Sequence, residues 1–549
     1  MAEITTSTAA NGLPIHRIAI PGTRATTILV AFDAGARTER AEENGMAHFL
    51  EHLVFKGGEI YDDYRKVNET AERMGGSLNA YTSHDLVAFH ITVRAESALP
   101  AMELLTDFVG RPRVDPVELD KERGVVIQEI QRYKDQPAAV AGELIERAGY
   151  GDHPLGRTVL GPEEHLRTFT REAIMAFRDR RWSGRTGGAF VVGNLDHVPA
   201  DGAADALFAR FPDLAEPERA ERAADPQDEV LVEERDSNQS HLRMIYRPDV
   251  DPADPAQRAA FGIYSVLLGG SMGSRQFDEI REQRGLAYSV FAMDHFAADH
   301  GALLMGAGLE SGKAVEAFAR MREIVAELAA DGPTEDEVER ARAYAAGRRV
   351  LAFENTNAVA SHAARRAIVH HEGIDPDTAI SELDAVTFDA VAEAARRVDP
   401  ERLAVAVVGP HSADEFQYFS TLAQRRGPAY DRIVLVADGL NERELQRYAQ
   451  RVGDRWPLEE VIVGGARVDD VRGVMPQRER GPEFVVILVS EGFDGVPWLE
   501  RVHQAASLWD AFEMGAPAEV HCYTHLEFER KRESLAVVRW AAERGLRIT

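Results

Sequence analysis

Cysteine is almost absent from this chain: Cys522 is the only one in 549 residues. An intramolecular disulfide is therefore excluded, and a reducing compartment is expected. Long apolar runs are missing as well. No stretch reaches the roughly 18 to 20 residues that a bilayer-spanning helix needs. The opening residues, MAEITTSTAANGLPIHRI, lack the basic-then-apolar order of a signal peptide. These absences predict a cytoplasmic protein, most simply a bacterial one, with no membrane partner. Positive charge is the third shortage: 63 Lys and Arg stand against 91 Asp and Glu, a net charge of −28. No nucleic-acid partner is expected, because phosphate binding needs a basic face. Such acidity keeps a large protein soluble. If it lined an internal chamber, it would favour cationic or neutral peptides.

What is present is ordinary for a globular protein, with 44% hydrophobic and 28% charged residues. The length exceeds what one core can hold and predicts about three or four domains. Two stretches about 215 residues apart end alike, TFTREAIMAFRDRRW…GGAFVVGNLDHV and VTFDAVAEAARRVDPERLAVAVVGPHSAD. Each reads as an amphipathic helix followed by a buried β-branched strand closed by glycine. An alternating strand precedes each, ATTILVAFDAGA in the first half and SHLRMIYRP in the second. The expected fold class is α+β: two related domains near 1–210 and 225–412, joined by the charged linker DLAEPERAERAADPQDE. A small α/β domain over 430–549 should follow, with strands at DRIVLVA, EEVIVGGA, EFVVILVS and AEVHCYT.

The segment GMAHFLEHLVFKG places His48, Glu51 and His52 at i, i+3 and i+4. On a helix these share one face, so two imidazoles can reach one ion with a carboxylate beside it. Zinc suits such a site, where an open position admits water and Glu51 takes the water's proton. A third ligand must come from elsewhere. The helical run DPVELDKERGVVIQEIQRYKDQP offers Glu122 and Glu129 two turns apart, with Val125, Val126 and Ile130 expected on its buried side. A carboxylate facing the core is costly unless it is paired or metal-bound.

H-x-x-E-H is the inverted zincin motif, and here it resembles the pitrilysin family, which includes insulin-degrading enzyme and the mitochondrial processing peptidases. In that family the third ligand is a glutamate about 77 residues beyond the second histidine. Glu129 stands 77 residues beyond His52. The resemblance thus implies one zinc ion per chain on His48, His52 and Glu129, with Glu122 as an accessory glutamate. GGSLNAYTSHDLVAFHI is similar to the family's edge strand, with Asn79, Ala80 and Tyr81 at its characteristic positions. Such a strand can pair its backbone with an extended peptide substrate. LLGGSMGSRQFDEIREQRGLAYSV resembles the family's glycine-rich and Arg/Tyr segment, in which Arg281 and Tyr288 match the pair that holds the substrate backbone and the oxyanion. Gly269, Gly270 and Gly273 then belong to a flexible substrate-facing loop. They lack the Gly-Lys-Ser/Thr ending of a phosphate loop. The similarity spans about 10–412, two domains of a four-domain clamshell, and so implies a homodimer.

The last stretch resembles, more faintly, small nucleotidyltransferase domains of the antitoxin type. There Gly464 and Gly465 stand where a Gly-Ser turn would hold phosphate, and Glu483 and Val485 at the two aspartate positions for magnesium. A valine cannot bind magnesium, so a degenerate domain serving assembly, regulation or substrate capture is expected. Trp498, Trp509, Phe512 and Met514 could form a contact surface, but their helical spacing favours core packing. The function expected is a zinc peptidase that hydrolyses unfolded peptides, or one dedicated precursor, inside a dimeric chamber. The alternative is a non-catalytic interaction or regulatory protein with a vestigial metal site.

Overall fold

The computed structural model describes residues 2–199, 202–213, 220, 222, 227–416, 442–465, 468, 484–506, 508–509, 514, 518–534 and 536–548. The chain divides into two compact units, Met1–Thr421 and Leu422–Thr549. The first holds two sheets. One orders its strands β1-β2-β6-β3-β5-β4, with β1 Glu3–Thr8, β2 Pro14–Ala19, β3 Ala25–Phe32, β4 Ser77–Thr82, β5 Val87–Arg94 and β6 Gly187–Gly193. The other orders them β7-β11-β8-β10-β9, with β7 Val230–Glu234, β8 Gln239–Tyr246, β9 Ala287–Phe296, β10 Gly301–Glu310 and β11 Leu403–Gly409. Each sheet is antiparallel except for one parallel pair, β2 with β6 and β7 with β11. Both therefore carry the same topology, with β4 and β9 as the corresponding edges.

Alternate residues of β3 enter different cores, as a pleated strand requires. Ile28, Val30 and Phe32 join the core beneath helix α1 (Met46–Val54) and helix α2 (Pro116–Lys134). Leu29 and Ala31 face a second core. The sequence reads here as an alternating strand. It is buried on both faces because a helix from the chain's second half covers the far side. Helix α3 (Pro137–Tyr150), from the first half, packs against β8 and β11 of the second sheet. The second half repeats the pattern with α4 (Pro255–Ser265), α5 (Glu335–Phe353) and α6 (Thr356–Ile368). Val359, Ala360, Ala363 and Ala364 of α6 form the second core with Leu29, Ala31 and Phe190. This exchange of helices makes the two halves one compact unit. The linker expected between them lies largely outside the described residues.

The C-terminal unit has its own sheet, β14-β13-β12-β15, built from β12 Glu460–Gly464, β13 Phe484–Val489, β14 Ala518–Tyr523 and β15 Leu546–Ile548. Leu445, Tyr448 and Val452 of α7 (Glu442–Gly453) pack on one side of it. Val538 and Ala541 of α8 (Ala536–Arg544) pack on the other. Trp509 meets Tyr448 edge-on and Phe484 at a tilt, with ring centroids 5.0 and 5.3 Å away. Met514 is buried in the same core, so both residues are packing groups. Val485 is fully buried beside Ile462 and Ile487. The expected strand DRIVLVA, Glu483, Phe512 and the Trp498 side chain lie outside the described residues. Among the described residues no helix is long and apolar enough to cross a membrane.

Candidate metal centre

Helix α1 starts at a point that only glycine can occupy. Gly45 has φ +97°, and a Cβ there would meet the Leu160 carbonyl oxygen at 2.6 Å. Gly45 offers no capping side chain, so Glu39 supplies one from upstream. Its carboxylate accepts from the backbone N–H of Gly45 (2.9 Å) and Ala47 (2.7 Å), and from Asn44 Nδ2 (3.1 Å). These bonds satisfy free donors of the first turn. Burial pushes the Glu39 carboxyl up to about 8, against the pull of those three donors. Met46, Phe49, Leu50 and Leu53 of α1 are buried. That orientation leaves His48, Glu51 and His52 on the stripe toward α2 and β4.

Helix α2 is capped by Asp115, which accepts from the backbone N–H of Val117 (2.9 Å) and Glu118 (3.4 Å), with Pro116 in the first turn. Its buried residues are Leu119, Glu122, Val126 and Ile130. Val125, expected inside, is 48% exposed. Positions 119, 122, 126 and 130 follow the helical period, and 125 falls off that stripe. Glu122 and Glu129 face α1 from this helix.

The Glu129 Oε2 atom lies 3.4 Å from His52 Nε2 and 3.7 Å from His48 Nε2. The ligand atoms of His48, His52 and Glu129 all lie within 4.8 Å of one another. Two ligands each about 2.0–2.1 Å from a tetrahedral zinc ion are about 3.3 Å apart, so this donor set fits zinc. The protonation states agree. Burial, followed by the neighbouring His52, pushes His48 down to about 3, which keeps the imidazole neutral with a lone pair to offer. Burial also pulls His52 down, but its hydrogen bond to Glu122 and the surrounding carboxylates outweigh this and raise it. An ion would therefore displace a proton there.

His52 Nδ1 meets Glu122 Oε1 at 2.8 Å, and Lys56 Nζ meets Glu122 Oε2 at 2.5 Å. Burial works against the Glu122 carboxylate, yet these two partners hold it below its ordinary range. Donating Nδ1–H to Glu122 leaves His52 Nε2 free to face the site. Glu51 receives the Thr82 hydroxyl at 2.5 Å, which ties α1 to the end of edge strand β4. Burial raises its carboxyl, with Thr82 partly opposing. The sequence reading missed Thr82, Lys56 and Glu39. Lys56 carries a legible signal, since it stands four residues after His52 on the same face. Thr82 and Glu39 reach the site only through the fold.

Among the described residues strand β4 pairs with β5 alone, with Asn79 opposite His90, Ala80 opposite Phe89 and Tyr81 opposite Ala88. Its outer edge runs from the Glu51–Thr82 contact. Arg281 and Tyr288 meet each other, the guanidinium 5.7 Å above the tyrosine ring and 4.7 Å above Phe277. Tyr288 is 84% exposed on edge strand β9. Among the described residues, neither lines the cavity of about 490 Å³ that adjoins His48 and Glu129. That cavity takes its walls from α3 (Glu143, Glu146, Tyr150) and from the second sheet (Ile245, His295). A roomier cavity of about 730 Å³, lined by Arg111, Arg171 and Phe211, shares no residue with it. Gly269, expected in a flexible loop, lies instead in a helical turn packed on β9, where a Cβ would meet the Ala292 nitrogen at 2.6 Å.

Comparison with known proteins agrees with this geometry. Residues 17–163 match the model of the insulinase family, peptidase family M16, and residues 168–344 match that of the M16 inactive domain. An uncharacterised zinc protease of Mycobacterium leprae is 31% identical over 418 residues, covering 75% of this chain and 93% of that protein. One of Bacillus subtilis is 30% identical over 407 residues, covering 73% and 97%. Among solved structures, an M16 inactive domain from Pseudomonas fluorescens superposes with a TM-score of 0.69 at 19% identity, covering 75% of this chain and 99% of that one. A protease from Helicobacter pylori gives 0.68 at 19%, covering 75% and 100%.

Proposed function

The chain belongs to peptidase family M16, the insulinase family, and from that membership we propose that it is a zinc endopeptidase acting on extended peptides. His48, His52 and Glu129 would hold the ion. When bound, zinc supplies Lewis-acid polarisation of the scissile carbonyl and acidifies water. Glu51, on the same face of α1, accepts the proton of the attacking water and delivers it to the leaving amine. Glu122 fixes the ring of His52. The outer edge of β4, with Asn79, Ala80 and Tyr81, pairs with the peptide backbone and lays it past Glu51.

Arg281 and Tyr288 would donate to the developing oxyanion of a neighbouring copy, since the peptidase-like part is half of the family's clamshell. The proposed working form is thus a homodimer around a chamber. The C-terminal unit is proposed as a degenerate nucleotidyltransferase-like domain that captures substrate or assists assembly. Support for its degeneracy is the burial of Val485 in an apolar core.

The observation that carries the reading is the convergence of two imidazoles and Glu129, with Glu51 tethered beside them by Thr82. Incubating the purified protein with a library of unstructured peptides tests it. Cleavage should occur, stop with a chelator and return with zinc. A zinc-loaded protein that cleaves none of them would favour the non-catalytic alternative.

A further inference from the structure

The second half of the chain contains a counterpart of the metal site, with its charge reversed. Sheet register locates it. Phe32 and Tyr246 are the last residues of the corresponding strands β3 and β8. Phe32 pairs with Val87, which pairs with Thr82. Tyr246 pairs with Leu303, which pairs with Asp294. Asp294 is therefore the counterpart of Thr82. Ser265 Oγ donates to Asp294 at 2.6 Å, the same helix-to-strand contact as Glu51 with Thr82 but with donor and acceptor exchanged. Ser265 thus stands for Glu51, which puts Gly262 at the place of His48 and Val266 at that of His52.

Helices α2 and α5 have 19 residues each, and the same offset of 219 relates Pro116 to Glu335 and Lys134 to Phe353. That offset also relates the starts of α3 and α6, Pro137 and Thr356. It maps Glu129, Glu143 and Glu146 onto Arg348, His362 and Arg365. The three glutamates line the 490 Å³ cavity, and their three replacements line one of about 540 Å³ beside Gly262 and Val266.

A cation site has lost its histidines, and its carboxylates have become basic side chains. The second cavity also gains Arg349. In all, five arginines face two carboxylates, Asp294 and Glu382, within a chain of net charge −28. Two of the arginines are already matched. Arg258 grips Glu372 through two bonds of 2.7 Å, and Arg366 grips Glu382 at 2.7 and 2.9 Å. Arg365 donates to the Phe296 carbonyl and approaches Asp85 at 3.7 Å.

Among the described residues Arg349 has no carboxylate in an ion pair: its guanidinium lies over Phe353 and donates to His362 Nδ1 at 3.1 Å. Because Nδ1 accepts, the neutral ring carries its proton on Nε2, and that nitrogen is buried without an acceptor among the described residues. Burial and the arginines around it hold His362 at about 3, so a second proton cannot relieve the imbalance. A half-buried cation and a buried donor, both short of acceptors, are costly as they stand. A planar fork beside an N–H is suited to two oxygens of one anion.

We infer that this cavity is an oxyanion site, in which Arg348, Arg349 and His362 Nε2–H hold a phosphate or carboxylate group. Two sources carry that chemistry. One is free phosphate. The other is the terminal carboxylate of a peptide lying along β4, since His295 lines both cavities. The first source stands without the peptidase reading, and only the second rests on it.

Calorimetric titration of the full chain with inorganic phosphate and pyrophosphate, at low ionic strength, tests the site. One saturable site per chain is expected. Its affinity should fall about tenfold or more in Arg349→Gln, as loss of a charged hydrogen-bond donor implies. Arg348→Gln, at an exposed position, should weaken it without disturbing packing. Zinc content should stay unchanged in both. Two peptides differing only in a terminal carboxylate or carboxamide separate the sources. A lower KM for the carboxylate form, lost in Arg349→Gln, assigns the site to the substrate. Equal KM values with phosphate bound assign it to free phosphate. If neither peptide is cleaved, the peptidase reading falls and the titration still decides. No saturable anion binding together with equal KM values overturns the inference. So does binding that both substitutions leave unchanged.

Discussion

Three glutamates crowd one site, and their neighbours set them different tasks. Glu51 is tethered by the Thr82 hydroxyl, Glu122 is tied to His52 and Lys56, and Glu129 faces both Nε2 atoms. Glu51→Gln should keep zinc and abolish cleavage, because an amide cannot accept the water's proton. Glu129→Gln should lower zinc occupancy more than Glu122→Gln does, since only Glu129 points at the shared position. The Glu122 change should still cost about ten- to a hundredfold in zinc affinity or activity. Elemental analysis and peptide cleavage on the three purified variants check this. Equal zinc loss in Glu122→Gln and Glu129→Gln would contradict the assignment.

At the scale of elements, the basic cavity depends on how α5 is anchored. Its first turn is a capping box: Thr334 accepts from the Glu337 N–H, and Glu337 accepts from the Thr334 N–H. Arg275 adds bonds of 2.6 and 3.0 Å to the Glu337 carboxylate. Burial opposes the charge, but Arg275 and Thr334 win and hold Glu337 down at about 2. A carboxyl depressed in the folded state contributes stability above its unfolded value of 4.5, and loses it as pH falls toward 2. Glu337→Gln should therefore melt below the wild type at pH 7, with a constant gap down to about pH 4.5. Below that the gap should narrow. Melts in chelator, so that metal release does not enter, measure it. A gap independent of pH would show that the ionised carboxylate contributes nothing.

For the whole molecule, the decisive question is where Arg281 and Tyr288 act. They are stacked on each other, Tyr288 exposed and Arg281 half-buried, away from the walls around His48. In the proposed two-fold dimer each active site joins His48, His52 and Glu129 of one chain with the other chain's Arg281 and Tyr288. Glu51→Gln and Arg281→Ala chains should each be nearly inactive alone. Mixed after dissociation, half the dimers are heterodimers, each with one intact site. About a quarter of wild-type activity should then return, by the counting of an isologous pair. Confirmed subunit exchange without recovered activity would place the pair in its own chain's site.

The metal site was legible in the sequence because helical periodicity alone puts His48, Glu51 and His52 on one face. A second helix offered Glu122 and Glu129 two turns apart, and the resemblance to the pitrilysin family, with its spacing of 77 residues from His52, chose Glu129. The α+β class was legible for a similar reason, since strand and helix periods differ and recur in both halves. Contacts between residues far apart in the chain were not legible. Periodicity speaks of one element's faces and says nothing of what covers them. Val125 looked buried until packing chose the stripe at 119, 122, 126 and 130. The strand β3 reads as alternating, and only α6, crossing from the other half, buries its second face. The turn between α5 and α6 set Arg349 against His362. The amino-acid order determined which groups could bind a cation. Only the tertiary structure decided that Arg348, His362 and Arg365, each 219 residues after Glu129, Glu143 and Glu146, converge on one cavity. A cavity's charge is the sum over helices that the chain brings together only on folding.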